Sequence, residues 1–168
     1  MHRRLGWVTL VILAPMLVVS GLHMVQLMVF GFERTQAIML LKFAFLDICA
    51  MTLFVAFLVL AVIHIRRNDA DAHARYMAGT VLFALEPALE RVFVFYVPRV
   101  SGFASALYFA LFTMEAIFTA LLFFEWRRRR VRLPFVMALF FFIAMHILLT
   151  PVANSVAFAN FAKWFARI

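Results

Sequence analysis

Long apolar stretches alternate with short polar connections along the whole chain. Five of these stretches are long enough for a membrane-spanning helix, which needs about 20 residues. They cover residues 7–30, 37–65, 75–97, 103–126 and 134–159. The third stretch is the least hydrophobic, since it carries Glu86, Glu90 and Arg91. The pattern predicts an all-α fold, a single domain over residues 1–168 built as a bundle of five transmembrane helices.

Composition supports a membrane protein over the soluble classes. Of the 168 residues, 67% are hydrophobic and 14% are charged, and the mean hydropathy is +1.03. Soluble domains are about half apolar and about a quarter charged. A soluble enzyme domain, a disordered chain and a secreted disulfide scaffold are therefore excluded. The only cysteine, Cys49, lies inside an apolar stretch and has no partner for an internal disulfide.

The net charge of +8 is concentrated in short basic clusters between the apolar stretches. With five spans, the clusters on one side are 2–4, 66–75 and 127–132, and the other side has only Arg34, Arg99, Lys163 and Arg167. Cytoplasmic loops carry the excess of Lys and Arg, so we expect the N-terminus inside and the C-terminus outside. Topology accounts for this charge, and nucleic-acid binding is disfavoured.

Seven ionisable residues fall in the middle part of the predicted spans. A rise of about 1.5 Å per residue places them in two layers, one at the bilayer centre and one about 6 Å nearer the outer face. The central layer contains Glu86, Glu115 and His146, and the outer layer contains His23, Asp47, Glu90 and Arg91. Such groups are tolerated when they face the bundle interior. They predict a buried polar network that holds the helices together or that forms a proton path, an ion site or a cofactor cradle.

The histidines raise the possibility of haem b, which imidazoles from facing helices can ligate. His23 and His146 are the two candidate ligands, on different predicted helices. No two histidines on one helix have the spacing that bundle haems often use. A metal site at Asp69, Asp71 and His73 is only weakly indicated, because an acidic turn before a helix, with Asp71 as the helix cap, is the commoner explanation. The identity of any bound metal is left open.

Three short motifs resemble a group of bacterial polytopic inner-membrane proteins. They are His-Arg-Arg-Leu-Gly-Trp at 2–7, Asp-Ala-His-Ala-Arg-Tyr-Met at 71–77 and Leu-Glu-Pro-Ala-Leu-Glu-Arg at 85–91. The resemblance implies a multi-pass protein of the bacterial inner membrane and implies no particular activity. In those proteins an apolar helix precedes the first motif, so an upstream helix is expected to be absent or trimmed here.

Three functions remain open at this point. The favoured one is a non-catalytic accessory or structural subunit of a larger respiratory or photosynthetic membrane complex, in contact with the lipid bilayer and with other subunits or a second copy. The alternatives are a haem b-binding redox protein and a small proton-coupled transporter that uses Glu86, Glu115 and His146. An enzyme is disfavoured because the sequence has no H-E-x-x-H, G-x-S-x-G, phosphate-loop or CxxC motif.

Overall fold

The computed structural model describes residues 8–97, 100 and 102–167. Every regular element in those residues is helical, which confirms the all-α prediction. A π-helical turn at Thr9–Leu13 is followed by six α-helices. They are α1 (Ala14–Thr35), α2 (Ile38–Arg66), α3 (Ala70–Tyr96), α4 (Phe103–Arg127), α5 (Leu133–Ala153) and α6 (Val156–Phe165). The first motif, at 2–7, and Arg99 lie outside the described residues.

Four of the helices are long and apolar enough to cross a membrane. These spans are Leu10–Thr35, Ile38–Arg66, Phe103–Arg127 and Leu133–Ala153. Helix α3 has 27 residues, which is a sufficient length, but it also has five Asp, Glu or Arg side chains. Length and composition thus indicate a multi-pass membrane protein, and four of the five predicted spans meet both criteria.

The first helix ends later than its apolar stretch predicts. Pro15 lies in the first turn of α1, directly after the π-helical turn Thr9–Leu13. At the other end α1 continues to Thr35. Its C-cap is Gln36, whose φ of 55° lies in the left-handed helical region. The Gln36 N–H donates to the Phe32 carbonyl at 2.8 Å. The predicted end at residue 30 was wrong because helical hydrogen bonding continues through the polar residues that follow.

The last apolar stretch, predicted as one span over 134–159, is divided between two helices. Helix α5 ends at Ala153, two residues after Pro151. Ser155 then caps α6, since its hydroxyl accepts a hydrogen bond from the Phe158 N–H at 3.1 Å. An N-cap serine satisfies one of the free N–H groups of a new helix. The predicted single span was therefore wrong at its C-terminal end.

Helix α3 starts five residues earlier than its apolar stretch predicts. Asp69 is its N-cap and accepts a hydrogen bond from the Ala72 N–H at 3.0 Å. The cap is therefore Asp69, and the expectation that Asp71 fills this role was wrong. The hydrogen bond from Ala72 lowers the pKa of the Asp69 carboxyl, and the bond to His64 acts in the same direction.

The chain divides into two compact units. One unit combines residues up to Met51 with those from Leu149 onward. Within it Gly21 lies so close to the Met51 side chain that no Cβ fits between them. Phe45 and Phe158 meet edge to face with their ring centroids 5.6 Å apart. Helices α1, α2 and α6 thus contribute to the core of this unit.

The second unit, Thr52–Leu148, is built around phenylalanine rings. Phe83 packs edge to face on Phe57 at 4.8 Å and stacks on Phe142 at 5.7 Å between ring centroids. Phe118 lies 5.4 Å from Phe142 by the same measure. All four side chains are almost fully buried. The rings join α2, α3, α4 and α5, and this packed core positions the polar groups described next.

Candidate functional site

A carboxylate and an imidazole meet midway along two apolar helices of the second unit. Glu115 Oε1 of α4 lies 2.8 Å from His146 Nδ1 of α5, a hydrogen-bonding distance. Both side chains are 19% exposed. Glu115 is the central residue of Phe103–Arg127, and His146 lies one turn beyond the centre of Leu133–Ala153. The structure therefore joins two of the three residues that were predicted at the bilayer centre.

Aromatic rings flank this pair. The Phe112 ring meets the His146 imidazole edge to face with centroids 4.7 Å apart. The Tyr108 ring lies 5.7 Å from the same imidazole. Since Nδ1 faces the carboxylate, the second imidazole nitrogen, Nε2, points away from Glu115. A carboxylate at one imidazole nitrogen fixes the tautomer and the orientation of the ring. The pair can share a proton, or it can present Nε2 as a ligand.

The other predicted network residues of the second unit are distributed along α3. Glu86 is buried, at 3% exposure, and Glu90 is half-buried one turn later. Arg91 is exposed, and its guanidinium donates to the Pro87 carbonyl of the same helix at 2.8 Å. This hydrogen bond of Arg91 is therefore local to its own helix.

Two predicted residues, His23 and Asp47, belong to the first unit. Asp47 is half-buried on α2. His23 is exposed on α1, and the bounds of Leu10–Thr35 place it within one residue of the centre of that span. Haem ligation by His23 together with His146, which belongs to the second unit, remains a prediction.

A charged cluster that the sequence did not reveal lies at the basic end of the second unit. The Arg75 guanidinium pairs with Glu125 of α4 and with Asp71 of its own helix. The other Glu125 oxygen accepts the Arg132 N–H at 3.1 Å. Glu125 is buried, at 9% exposure. The sequence showed only a glutamate beside a run of arginines, and the separation of 50 residues between Arg75 and Glu125 concealed the pairing.

The motif at 71–77 contributes Asp71 and Arg75 to this cluster, and its other polar side chains have separate partners. His73 Nδ1 lies 2.9 Å from the Ala61 carbonyl oxygen. The Tyr76 ring stacks on His64 with centroids 5.2 Å apart. His64 Nδ1 is in turn 3.2 Å from Asp69 Oδ2. Among the described residues, no three His, Cys, Asp or Glu side chains converge as metal ligands would.

Comparison with known proteins gives no relative from which to transfer a role. No family model, curated protein or solved structure matches the chain significantly. The functional argument therefore depends on the arrangement of this chain's own residues.

Proposed function

We propose that this protein is a non-catalytic subunit of a membrane assembly and that α1 is a helix through which it contacts another membrane protein. The proposal is supported above all by one observation, the exposure of His23 at the centre of an apolar span. The bacterial inner membrane is the setting that the sequence resemblance favours.

His23 differs in exposure from the other ionisable groups of the four apolar helices. In the described part of those helices, away from their end turns, the other ionisable side chains are buried or half-buried. An ionisable group in the middle of a span normally faces protein or a water-filled cavity, because contact with lipid tails is costly. A second polypeptide against α1 would remove His23 from the lipid.

The exposed face of α1 has the spacing of a helix-packing seam. Its residues follow one another at intervals of four and three, and all are exposed: Met16, Ser20, His23, Leu27 and Phe30. Residues at this spacing form one stripe, into which a neighbouring helix can pack. Ser20 and His23 supply polar groups within it, and interhelical hydrogen bonds from serine and histidine stabilise transmembrane helix pairs. The opposite face buries Val25 and Val29.

Photo-crosslinking in native membranes tests the partner. A photoreactive amino acid at Leu27 is expected to give a protein adduct. The same probe at Phe140, which is 65% exposed on α5, serves as the matched control and is expected to give lipid adducts. Mass spectrometry of the Leu27 adduct then distinguishes another subunit from a second copy of this chain. Lipid adducts alone at both positions would refute the proposal.

The proposed topology has five spans, with α3 as the fifth and the N-terminus in the cytoplasm. Two features of α3 make insertion feasible: Glu86 is buried and Arg75 is paired with Glu125. Five spans also gather the basic clusters on one side, as the positive-inside rule requires. A reporter fused to the C-terminus is expected to report the outer side. A cytoplasmic signal would contradict this combination of five spans and a cytoplasmic N-terminus.

A second candidate function is haem b binding, which the geometry of the Glu115–His146 pair favours. A histidine that ligates a metal through one nitrogen commonly binds a carboxylate through the other. The absorption spectrum of the purified protein, oxidised and then reduced with dithionite, tests it. A Soret band in the usual haem region, about 410–430 nm, that is lost in His146→Ala would support haem. A featureless spectrum would exclude it.

A further inference from the structure

A cavity of about 730 Å³ opens in the second unit beside the charged cluster. It lies between the first turns of α3 and the last turns of α4, with Phe135 of α5 at one wall. Ligand sites in proteins typically have volumes of about 300–1,000 Å³. The cavity is therefore large enough for a lipid headgroup with the first part of its acyl chains.

The walls of this cavity differ between its two ends. Ala74 and Ala78 of α3 and Leu121 of α4 form an apolar part that extends along the helices away from the basic turn. Arg128 and Arg130 line the part at the turn itself. A phospholipid has the same distribution of chemistry, with an anionic phosphate attached to apolar chains.

The charge at the mouth of the cavity is positive. Arg75 also lines the cavity, but Glu125 and Asp71 neutralise it. Within the described residues, Arg128 and Arg130 form no ion pair with a carboxylate. These two guanidinium groups remain available for an anion. Arginine is well suited to this role because its fork of N–H donors matches phosphate oxygens.

Hydrogen bonds from backbone N–H groups fix the turn that carries the two arginines. The Glu125 backbone carbonyl accepts the Arg130 N–H at 2.9 Å, and the Glu125 side chain accepts the Arg132 N–H at 3.1 Å. The Arg128 N–H donates to the Phe124 carbonyl at 3.2 Å. These hydrogen bonds hold the turn over the cavity before any ligand binds, and a preorganised site binds more tightly.

We infer that this cavity is a binding site for the phosphate headgroup of an anionic phospholipid, with Arg128 and Arg130 on the phosphate and the lipid's chains along Ala74, Ala78 and Leu121. Basic pockets between transmembrane helices on the cytoplasmic side bind headgroups of this kind. The inference is independent of the proposed partner of α1, which concerns the other unit of the chain.

The charge test measures binding of fluorescent phosphatidylglycerol to the full-length protein in phosphatidylcholine nanodiscs. Arg128→Gln with Arg130→Gln is expected to lower the affinity about tenfold or more, because each arginine near an anionic lipid surface contributes about fivefold. Arg127→Gln with Arg129→Gln removes the same charge from the same turn but spares the cavity lining. This control pair is expected to lower the affinity clearly less, because neither arginine lines the cavity. Equal losses in both variants would overturn the inference.

Two further measurements identify the ligand: a substitution in the apolar part of the cavity and competition by inorganic phosphate. Ala78→Phe fills the apolar part without changing charge and is expected to abolish saturable lipid binding. The control, Ala120→Phe, is exposed on α4 outside the cavity lining and is expected to bind normally. Inorganic phosphate is expected not to displace the lipid. Displacement by phosphate, or normal lipid binding in Ala78→Phe, would overturn the lipid as occupant. A folded wild-type protein without saturable binding would overturn the site itself.

Discussion

Glu115 Oε1 and His146 Nδ1 are 2.8 Å apart, and this contact joins α4 to α5 in the middle of two apolar helices. A hydrogen bond at this depth has little competition from water. Measured interhelical hydrogen bonds in membrane proteins nevertheless contribute only about 0.6 kcal/mol on average, and at most about 1.7 kcal/mol. The contact between Glu115 and His146 is therefore expected to contribute moderately to stability.

A double-mutant cycle tests this expectation. Glu115→Ala and His146→Ala are expected to show a coupling free energy of roughly 0.6–1.7 kcal/mol for unfolding in detergent or bilayer. Thr113 provides the control, because its hydroxyl donates to the Phe109 carbonyl within α4 at 2.7 Å. Thr113→Val and His146→Ala are expected to be additive. Additivity of the Glu115 cycle as well would show that the observed contact does not stabilise the fold.

Arg75 pairs with two carboxylates in very different environments. The Glu125 side chain is 11% exposed, whereas the Asp71 side chain is 57% exposed. Glu125→Ala leaves Arg75 and the Arg132 N–H without their buried acceptor, and we expect it to lower the free energy of unfolding by about 3–5 kcal/mol. Asp71→Ala breaks a solvent-exposed pair of the same arginine and is expected to lower it by less than about 1 kcal/mol.

Chemical or thermal unfolding of both variants, in the same detergent, measures this difference. Arg75→Lys supplies an additional comparison, since lysine keeps the charge but cannot bind two carboxylates through a planar fork. Equal destabilisation by Glu125→Ala and Asp71→Ala would show that burial does not determine the strength of these pairs.

Two glycines permit close helix contacts, and their neighbours differ in stiffness. A Cβ on Gly79 would lie 2.6 Å from Cδ1 of Phe57, a ring held by edge-to-face contacts with Tyr76 and Phe83. A Cβ on Gly21 would meet the Met51 side chain, which can change rotamer more easily. We expect Gly79→Ala to destabilise the protein by about 1–3 kcal/mol, as overpacking does.

The matched variant, Gly21→Ala, is expected to lower the free energy of unfolding clearly less than Gly79→Ala does. Unfolding of the two variants under the same condition measures the difference. A larger effect at Gly21 would indicate that Met51 is less adaptable than a core phenylalanine. Neither glycine requires a positive φ, so close approach of the helices is the relevant constraint.

The sequence predicted where the apolar helices lie, but it predicted only some of their ends and only some of the polar contacts between them. Hydropathy located the apolar helices because bilayer thickness constrains their length. It misplaced ends such as the break before Ser155, because a local side-chain cap determines that position. Depth counting placed Glu115 and His146 at the same level, and the structure brings them into contact.

Depth counting could not predict which way a side chain faces around its helix. His23 was grouped with the inward-facing residues, whereas the structure exposes it. Charge patterning assigned no role to Glu125, and only tertiary packing shows that it is buried against Arg75. Exposure and long-range pairing depend on the packing of neighbouring helices, which hydropathy along one segment does not encode.

The Asp69 cap gives a prediction for pH dependence. The hydrogen bond from the Ala72 N–H, and then the contact with His64, lower the pKa of this carboxyl below its ordinary range. Arg132 is the other charged group that stabilises its ionised form. A carboxylate with a lowered folded-state pKa stabilises the fold above its unfolded value of about 3.9, and this stabilisation is lost as the pH falls through the folded-state value. We therefore expect the contribution of Asp69 to decrease below about pH 4.

Thermal unfolding between pH 2.5 and 7 measures this contribution when the wild type is compared with two variants. Asp69→Asn keeps an N-cap acceptor and loses the titration, so it is expected to unfold near the wild-type temperature at neutral pH and to lose less stability on acidification. Asp69→Ala removes the cap and is expected to unfold at a lower temperature than the wild type at neutral pH. The difference in unfolding temperature is expected to decrease at acidic pH, because the wild-type carboxylate is then protonated. Parallel curves for the wild type and Asp69→Asn would show that the Asp69 carboxyl has the same pKa in the folded and unfolded chains, contrary to its contacts with Ala72 and His64.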